Sequence, residues 1–235
     1  MKNHVLSYYD LALISGVVIL NAVYSVLTGT VDVIGSLAGI AGVVCVVLVA
    51  KGSIWNYIFG VVNVSLYAII SYKAELYGDA GLNALYYLPM QFVGWWQWRR
   101  RGAATSAGDP GAQNKDVRVR ARKMTWTQRI LLSIVCIVFV VSGGYLLRYL
   151  GDPQPFKDSA TTVLSIIAQA LMALAFMEQW ILWLVTNVIS VAMWSVCAAR
   201  GDAHAGLMVI MWVFYLFNSL NGLRVWIKLS SNKME

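Results

Sequence analysis

The sequence predicts an all-α integral membrane protein with eight transmembrane helices: two parallel three-helix repeats joined by a linking helix, plus one extra N-terminal helix. Of its 235 residues, 59% are hydrophobic and only 12% are charged, which excludes a soluble domain of this length. Cutting the chain at every charged residue leaves eight windows, each long enough at about 1.5 Å per residue to cross a hydrocarbon core of about 30 Å. These windows are residues 11–31, 33–50, 52–72, 80–98, 130–147, 159–177, 179–199 and 203–223.

The first window is predicted to form the extra N-terminal helix, within residues 1–31. It is too long for a removable signal peptide, and it lacks the small-residue pattern of a cleavage site. This window lies outside the repeat that relates the next three windows to the last three.

The next three windows and the last three carry the same pattern of residues, about 125 residues apart. Asn63 corresponds to Asn187, and the Gly-Asp pair at 78–79 corresponds to the pair at 201–202. Three further pairs are Tyr87 with Tyr215, Gly94 with Gly222, and Trp98 with Trp226. A repeat of whole hydrophobic helices that carry amides and aromatic rings is typical of transporters. We therefore expect three-helix repeats over residues 32–101 and 158–228.

One further window lies between the two repeats. Two copies of an odd number of helices would have opposite topologies if they were joined directly, and a linking helix, predicted within residues 125–150, restores the same orientation. The stretch before it, residues 102–124, is rich in Gly, Ala and basic residues. This stretch is predicted to be a flexible cytoplasmic linker.

The basic residues are distributed unevenly across the predicted membrane. Alternation of the helices places fourteen of the 18 Lys and Arg residues on one side. By the positive-inside rule that side is cytoplasmic, so both termini are expected inside, with Asp79, Asp152 and Asp202 outside. Topology thus accounts for the net charge of +7, and no nucleic-acid partner is predicted.

Four of the predicted helices present amides and aromatic rings at helical spacing. An amide in hydrocarbon is costly unless it is hydrogen-bonded, so these faces are expected to point at one another or at water. The alternative is that the amides only join helices to one another. The predicted substrate-binding residues are Trp183, Asn187, Trp180, Asn63, Tyr67, Gln91, Tyr87, Asn218, Tyr215 and Asn221. The tryptophans near the cytoplasmic boundary are expected to form an interfacial belt instead, namely Trp95, Trp96, Trp98, Trp126 and Trp226.

The windows contain no carboxylate, lysine or arginine, so no charge is predicted within the bilayer that would couple transport to an ion. The sequence also lacks a nucleophile elbow, a phosphate-binding loop, a zinc-binding spacing and a paired-carboxylate motif. We therefore predict no enzyme activity, no cofactor and no metal site.

Several segments of the chain together resemble one family. NYIFGVVN, WILWLVTNVISV, LNGLRVW and the segment from Gly94 to Trp98 are similar to the PnuC-type bacterial vitamin transporters, whose best-known members carry nicotinamide riboside. The resemblance covers residues 33–228 and implies a fold similar to the SWEET sugar transporters, a homotrimer and a place in the bacterial inner membrane. It also implies an Asn three residues before Gly94, where this chain has Gln91, whose amide lies one methylene further out.

The resemblance implies a uniporter for nicotinamide riboside that works by alternating access, with a separate cytoplasmic kinase that traps the substrate for NAD biosynthesis. Nicotinamide riboside is a flat cation, and an aromatic-walled pocket can bind a cation at roughly 0.5 to 2 kcal/mol per ring. One alternative is a related vitamin, thiamine or riboflavin, as the cargo. The other is a membrane scaffold or sensor that transports nothing, although a scaffold has no need for amides on four helices.

Overall fold

The computed structural model describes residues 6–74, 77–106, 121–149, 151 and 155–231, so that residues 107–120 of the predicted linker lie outside it. Within these ranges the chain is helical, and its only β contact is an isolated bridge between Arg122 and Phe176. The helices are α1 (Tyr8–Thr28), α2 (Val33–Ala50), α3 (Asn56–Lys73), α4 (Tyr77–Gly81), α5 (Leu88–Ser106), α6 (Trp126–Tyr149), α7 (Pro155–Ala173), α8 (Gln179–Ala199) and α9 (Ala205–Ser231). A π-helical segment, Leu82–Tyr87, connects α4 to α5.

Among the described helices, five are long and apolar enough to cross a membrane: α1, α2, α6, α8 and α9. The other three long helices, α3, α5 and α7, coincide with the remaining predicted windows and carry more polar side chains. Several boundaries differ from the predicted windows, and α5 runs on to Ser106, into the stretch predicted as linker. Helix α3 begins at Asn56 and α7 ends at Ala173, because short turns at residues 51–55 and 174–178 separate these helices from their neighbours.

Helix α1 is attached to helices of both predicted repeats, because it packs against α2 and α9. Its N-terminus carries a capping box, in which Ser7 Oγ accepts from the Asp10 N–H at 3.3 Å and the Asp10 carboxylate accepts from the Ser7 N–H at 2.6 Å. The same carboxylate is fully buried and pairs with Lys51 Nζ, at the end of α2, at 2.5 Å. A single aspartate thus starts α1 and also connects it to α2.

The two predicted repeats meet where α2 packs against α9 and where α5 packs against α7. Within the repeats, α2 packs against α3, and α8 packs against both α7 and α9. Helix α6 lies against α7. These contacts leave a cavity between the two halves, with aromatic side chains at both of its ends.

An aromatic cluster, here called the inner cluster, lies at the end of the helices that the sequence assigns to the cytoplasm. It consists of Tyr57, Trp98, Trp180 and Trp226. Trp98 and Trp226 are fully buried, so their prediction as belt residues is wrong. The Trp98 indole N–H donates to the Met172 carbonyl at 3.1 Å, and that of Trp226 donates to the Val49 carbonyl at 3.2 Å. Both carbonyls belong to the last turn of a helix. Each accepts from the N–H three residues on, that of Ala175 or Gly52, and its second lone pair accepts from the buried indole.

The other predicted belt tryptophans lie at the surface. Trp95, Trp96 and Trp126 are exposed, and each has an arginine guanidinium 4.6 to 5.1 Å from a ring centre. An indole paired with a basic side chain suits the boundary between lipid and water.

The last residues of the predicted linker are attached to the turn between α7 and α8. The Arg122 N–H donates to the Ala175 carbonyl at 2.7 Å, and the Met177 N–H donates to the Arg122 carbonyl at 2.9 Å. Glu178, in the same turn, is buried and pairs with Arg129 at 2.8 Å. The start of α6 is therefore fixed against this turn.

Candidate functional site

A cavity lies between the two predicted repeats, with walls from α2, α3, α4, the π-helical segment, α5, α7, α8 and α9. The structure brings eight of the ten predicted substrate-binding residues to this wall. They are Asn63, Tyr67, Tyr87, Gln91, Trp180, Trp183, Asn187 and Tyr215. The amide and aromatic faces of four helices thus point into one space, and their role in binding a substrate stays a prediction.

The other two predicted residues, Asn218 and Asn221, do not line the cavity. Asn218 is fully buried, and its Nδ2 donates to the Val46 carbonyl at 2.8 Å, which joins α9 to α2. Ser219, the next residue, lines the cavity in its place. Helix α9 therefore turns Tyr215 and Ser219, four residues apart, toward the cavity, whereas the predicted Asn218 lies three residues from Tyr215 and faces α2.

Asn63 lies at the cavity wall but is held by the protein on both side-chain atoms. Its Nδ2 donates to the Ala38 carbonyl at 2.9 Å, and its Oδ1 accepts from the Tyr215 hydroxyl at 3.2 Å. The side chain thus connects α3 to α2 and to α9. The contacts of Asn63 therefore match the alternative role, in which an amide joins helices to one another.

Trp183 and Asn187 lie one turn apart on α8, as their spacing predicts. The centre of the Trp183 ring is 6.3 Å from that of Tyr87, and the two planes are tilted by 52°. The Asn187 Nδ2 donates to Ser219 Oγ at 2.7 Å, which leaves its buried Oδ1 without a partner. A pair of rings and an available acceptor therefore share one part of the cavity.

Five buried polar atoms at the cavity wall have no hydrogen-bonding partner within the described parts of the chain. They are Gln91 Oε1, Gln169 Nε2, Trp180 Nε1, Thr186 Oγ1 and Asn187 Oδ1. A buried polar atom left without a partner costs about 1 to 3 kcal/mol, so native proteins normally satisfy such atoms. The set includes both donors and acceptors, which suits a ligand that carries both kinds of group.

Two glycines allow large side chains to reach this wall. A Cβ atom added to Gly60 would collide with Gln91 Oε1, and one added to Gly222 would lie 2.6 Å from the Trp180 ring. Because glycine has no Cβ, the Gln91 amide and the Trp180 indole can pack directly on the backbone of a neighbouring helix. Any larger residue at either position would displace a polar group from the wall.

A hydrogen-bonded group, here called the outer cluster, lies at the opposite end of the cavity from the inner cluster. It consists of Tyr67, Asp79, Trp194 and Trp212. The Tyr67 oxygen accepts from the Trp194 indole N–H at 2.6 Å and from the Trp212 indole N–H at 3.2 Å. With both indoles donating to it, the Tyr67 hydroxyl directs its own proton to Asp79 Oδ2 at 3.2 Å. The cluster thus joins α3 and α4 of one half to α8 and α9 of the other.

Asp79 places a carboxylate at the cavity wall, which the sequence analysis did not predict. The residue lies in α4, just before the charge-free window that starts at residue 80, and was expected only to face outward. Burial raises the pKa of Asp79 to about 6, while the Tyr67 hydrogen bond lowers it and the nearby Asp158 charge raises it. In the described chain, no group of three His, Cys, Asp or Glu residues could hold a metal ion.

Helix α7 contributes three polar residues to which the sequence analysis gave no role: Thr161, Ser165 and Gln169 line the cavity. They recur every four residues and so occupy one face of the helix. The test of helical spacing that identified α8 would have identified this stripe as well. Only Gln169 of the three carries an amide and none is aromatic, however, so a pattern of amides with aromatic rings does not include this stripe.

A family model described as nicotinamide mononucleotide transporter matches residues 32–228 of this chain. The chain is 39% identical over 196 residues to the nicotinamide riboside transporter PnuC of Neisseria mucosa, covering 83% of this chain and 72% of that protein. It is 31% identical over 193 residues to the protein of the same name from Haemophilus influenzae, covering 82% and 78%. It is also 25% identical over 197 residues to the riboflavin/roseoflavin transporter RibM of Streptomyces davaonensis, covering 83% of each.

The fold is similar to one crystal structure, that of the vitamin B3 transporter PnuC, with a TM-score of 0.81 and 34% identity. The match covers 97% of this chain and 94% of that one, so it extends beyond the repeats to helix α1. The first helix was expected to lie outside the resemblance, and the structural similarity includes it.

Proposed function

The chain belongs to the nicotinamide mononucleotide transporter family, and we propose that it carries nicotinamide riboside across the bacterial inner membrane by facilitated diffusion. Relatives from Neisseria mucosa and Haemophilus influenzae are named for that cargo. The observation that carries the proposal is the cavity, in which aromatic rings and polar atoms without partners share one space between the two halves.

Nicotinamide riboside has three parts that the cavity wall can recognise: a flat pyridinium cation, a carboxamide and a ribose. The rings of Trp183 and Tyr87 offer faces for the cation, at about 0.5 to 2 kcal/mol for each well-placed ring. Asn187 Oδ1 and Gln91 Oε1 can accept hydrogen bonds from the carboxamide N–H groups or the ribose hydroxyls, and Gln169 Nε2 can donate to their oxygens. Each part of the cargo therefore has a complementary group at the wall.

We infer that transport proceeds by alternating access, because a few hydrogen bonds join the two halves at each end of the cavity. At the outer end, Trp194 and Trp212 donate to Tyr67. At the inner end, Trp98 donates to the Met172 carbonyl. Opening the cavity to one side would break one of these sets while the other stays intact.

The remaining parts of the proposal rest on the charge distribution and the family resemblance. Helices α3, α5 and α7 would complete eight membrane spans, with both termini and the basic linker in the cytoplasm. The protein would assemble as a homotrimer. A separate cytoplasmic kinase would phosphorylate the cargo, and the phosphate would prevent its return.

A related vitamin is the second candidate for the cargo, since one relative is named as a riboflavin/roseoflavin transporter. Riboflavin is uncharged, whereas nicotinamide riboside and thiamine are cations. The Asp79 carboxylate at the wall favours a cation. Thiamine is therefore a closer rival than riboflavin. A scaffold that transports nothing would not explain the polar atoms without partners in the cavity.

Isothermal titration calorimetry of the purified protein with nicotinamide riboside, thiamine and riboflavin ranks the three cargoes. Uptake of labelled nicotinamide riboside into proteoliposomes then tests transport. We expect the tightest binding for nicotinamide riboside and saturable uptake down its gradient. Tightest binding of another vitamin would reassign the cargo, and binding without uptake would contradict a transporter.

A further inference from the structure

The two copies of the Gly-Asp motif differ in the residue before them. The first copy reads Tyr77-Gly78-Asp79, and the second reads Arg200-Gly201-Asp202. In the second copy the Arg200 guanidinium pairs with the Asp202 carboxylate at 2.8 Å, at the surface. The first copy has a tyrosine at the position of that arginine, so the motif itself supplies no cation for Asp79.

Asp79 is an acidic side chain without a basic partner among the residues that the structure describes. In the described part of the chain, Asp10, Asp32, Glu178 and Asp202 each pair with a basic side chain, and none of these four ion pairs includes Asp79. The Asp79 carboxylate accepts from the Tyr67 hydroxyl at 3.2 Å, and a charge close to it is another carboxylate, that of Asp158. A carboxylate that is partly removed from water is costly unless a cation offsets its charge.

Tyr67 fixes Asp79 as a hydrogen-bond acceptor at the cavity wall. Because the indole N–H groups of Trp194 and Trp212 both donate to the Tyr67 oxygen, the phenolic proton is directed to Asp79. A hydrogen bond donated to a carboxylate favours its ionised form. The wall of the cavity thus holds a fixed negative charge at its outer end, in the same space as the rings of Tyr87 and Trp183.

We propose that Asp79 is the residue that selects for charge in this cavity, by supplying the counter-charge for a cationic cargo. It would thereby distinguish a pyridinium ring from an uncharged ring with nearly the same outline. The proposal rests on the proposed function and adds a second source of cation preference to the aromatic walls. We expect removal of this charge to weaken binding of a cation about 10- to 100-fold.

The test compares nicotinamide riboside with its 1,4-dihydro form, which keeps the carboxamide and the ribose but has no positive charge. Calorimetry gives the Kd of both compounds for the parent protein and for Asp79→Asn. We expect the parent to prefer the cation. In Asp79→Asn, the Kd for the cation should rise about 10- to 100-fold while the Kd for the reduced form stays within about threefold. A preference that is the same in both proteins would overturn the proposal.

Matched variants separate charge from folding. Asp202→Asn removes the equivalent aspartate, which has its own arginine at the surface, and should change neither Kd. Asp79→Glu keeps the charge and should keep the preference, and Asp79→Ser replaces Asp79→Asn if the latter does not fold. A parent protein that binds neither compound would contradict the proposed function as well. A parent protein that binds both compounds equally would be consistent with the proposed cargo and would overturn only the role of Asp79.

Discussion

Asn187 and Asn218 form a matched pair for testing whether the polar wall of the cavity binds the cargo. Both are buried amides that the sequence assigns to substrate binding, but only Asn187 lines the cavity. If Asn187 Oδ1 accepts from the cargo, Asn187→Ala should lose one desolvated hydrogen bond, about 1 to 3 kcal/mol or roughly a 5- to 150-fold rise in Kd. Asn218→Ala removes the bond to the Val46 carbonyl, so it should lower the free energy of unfolding by about 1 kcal/mol and leave Kd nearly unchanged.

Two measurements on the same preparations check this contrast: calorimetry for Kd and thermal unfolding in detergent for stability. Trp183→Ala should behave like Asn187→Ala, because its ring lies one turn away and lines the same cavity. Trp226 cannot serve as a surface control, since it is fully buried in the inner cluster. A folded Asn187→Ala protein that binds like the parent would show that the cargo does not contact this amide. An Asn218→Ala protein that loses more affinity than Asn187→Ala would also contradict the assignment of Asn187 to the binding site.

Three further predictions concern orientation, energetics and pH. Cysteines introduced at Ser106 and Ser231 should resist an impermeant thiol reagent in intact cells, because the positive-inside rule places both in the cytoplasm. Labelling of both cysteines would show that the predicted orientation is reversed. In liposomes without a kinase, a sodium gradient should not drive accumulation, because the membrane windows carry no charge that could bind the ion. An inside-negative potential of about 100 mV should instead favour a cationic cargo by about 2.3 kcal/mol, roughly 50-fold, and accumulation driven by an ion gradient alone would contradict uniport. Binding measured by calorimetry should be strongest above the pKa of Asp79 and should weaken as the pH falls through about 6, because protonation removes the negative charge. The affinity of Asp79→Asn should not change over the same pH range.

The position of most helices, and most of the cavity wall, could be predicted from the sequence because both depend on local spacing. Charge-free windows place the long helices, since a charged side chain inside hydrocarbon is costly. Residues four apart share a helix face, which is why Trp183 and Asn187 lie together at the wall. The choice between Asn218 and Ser219 could not be made in this way. Adjacent residues point about 100° apart, and only the packing of α9 on α2 decides which of them meets the cavity.

Two other differences arise because partners come from distant parts of the chain. Trp98 and Trp226 have the sequence position of belt residues, but each finds an acceptor on the last turn of a helix in the opposite half. Cutting the chain at charged residues also set Asp79 outside the membrane windows by definition. That procedure cannot show that a residue just before a window turns its side chain into the cavity.

Comparison of the two predicted repeats separates residues that hold the fold from residues suited to the proposed cargo. Where both halves need the same support, corresponding residues make the same kind of contact, as Trp98 and Trp226 do. The proposed cargo, a nucleoside, has different groups at its two ends, so a site between two similar halves must become asymmetric in order to recognise it. The asymmetry is found at the wall: Asn63 is held by Ala38 and Tyr215, whereas Asn187 keeps an acceptor available. Aspartates 79 and 202 differ in the same way, since the first faces the cavity without a described basic partner and the second pairs with arginine at the surface. Positions that correspond in sequence but differ in their contacts are therefore the ones at which substitutions should change cargo preference without changing the fold.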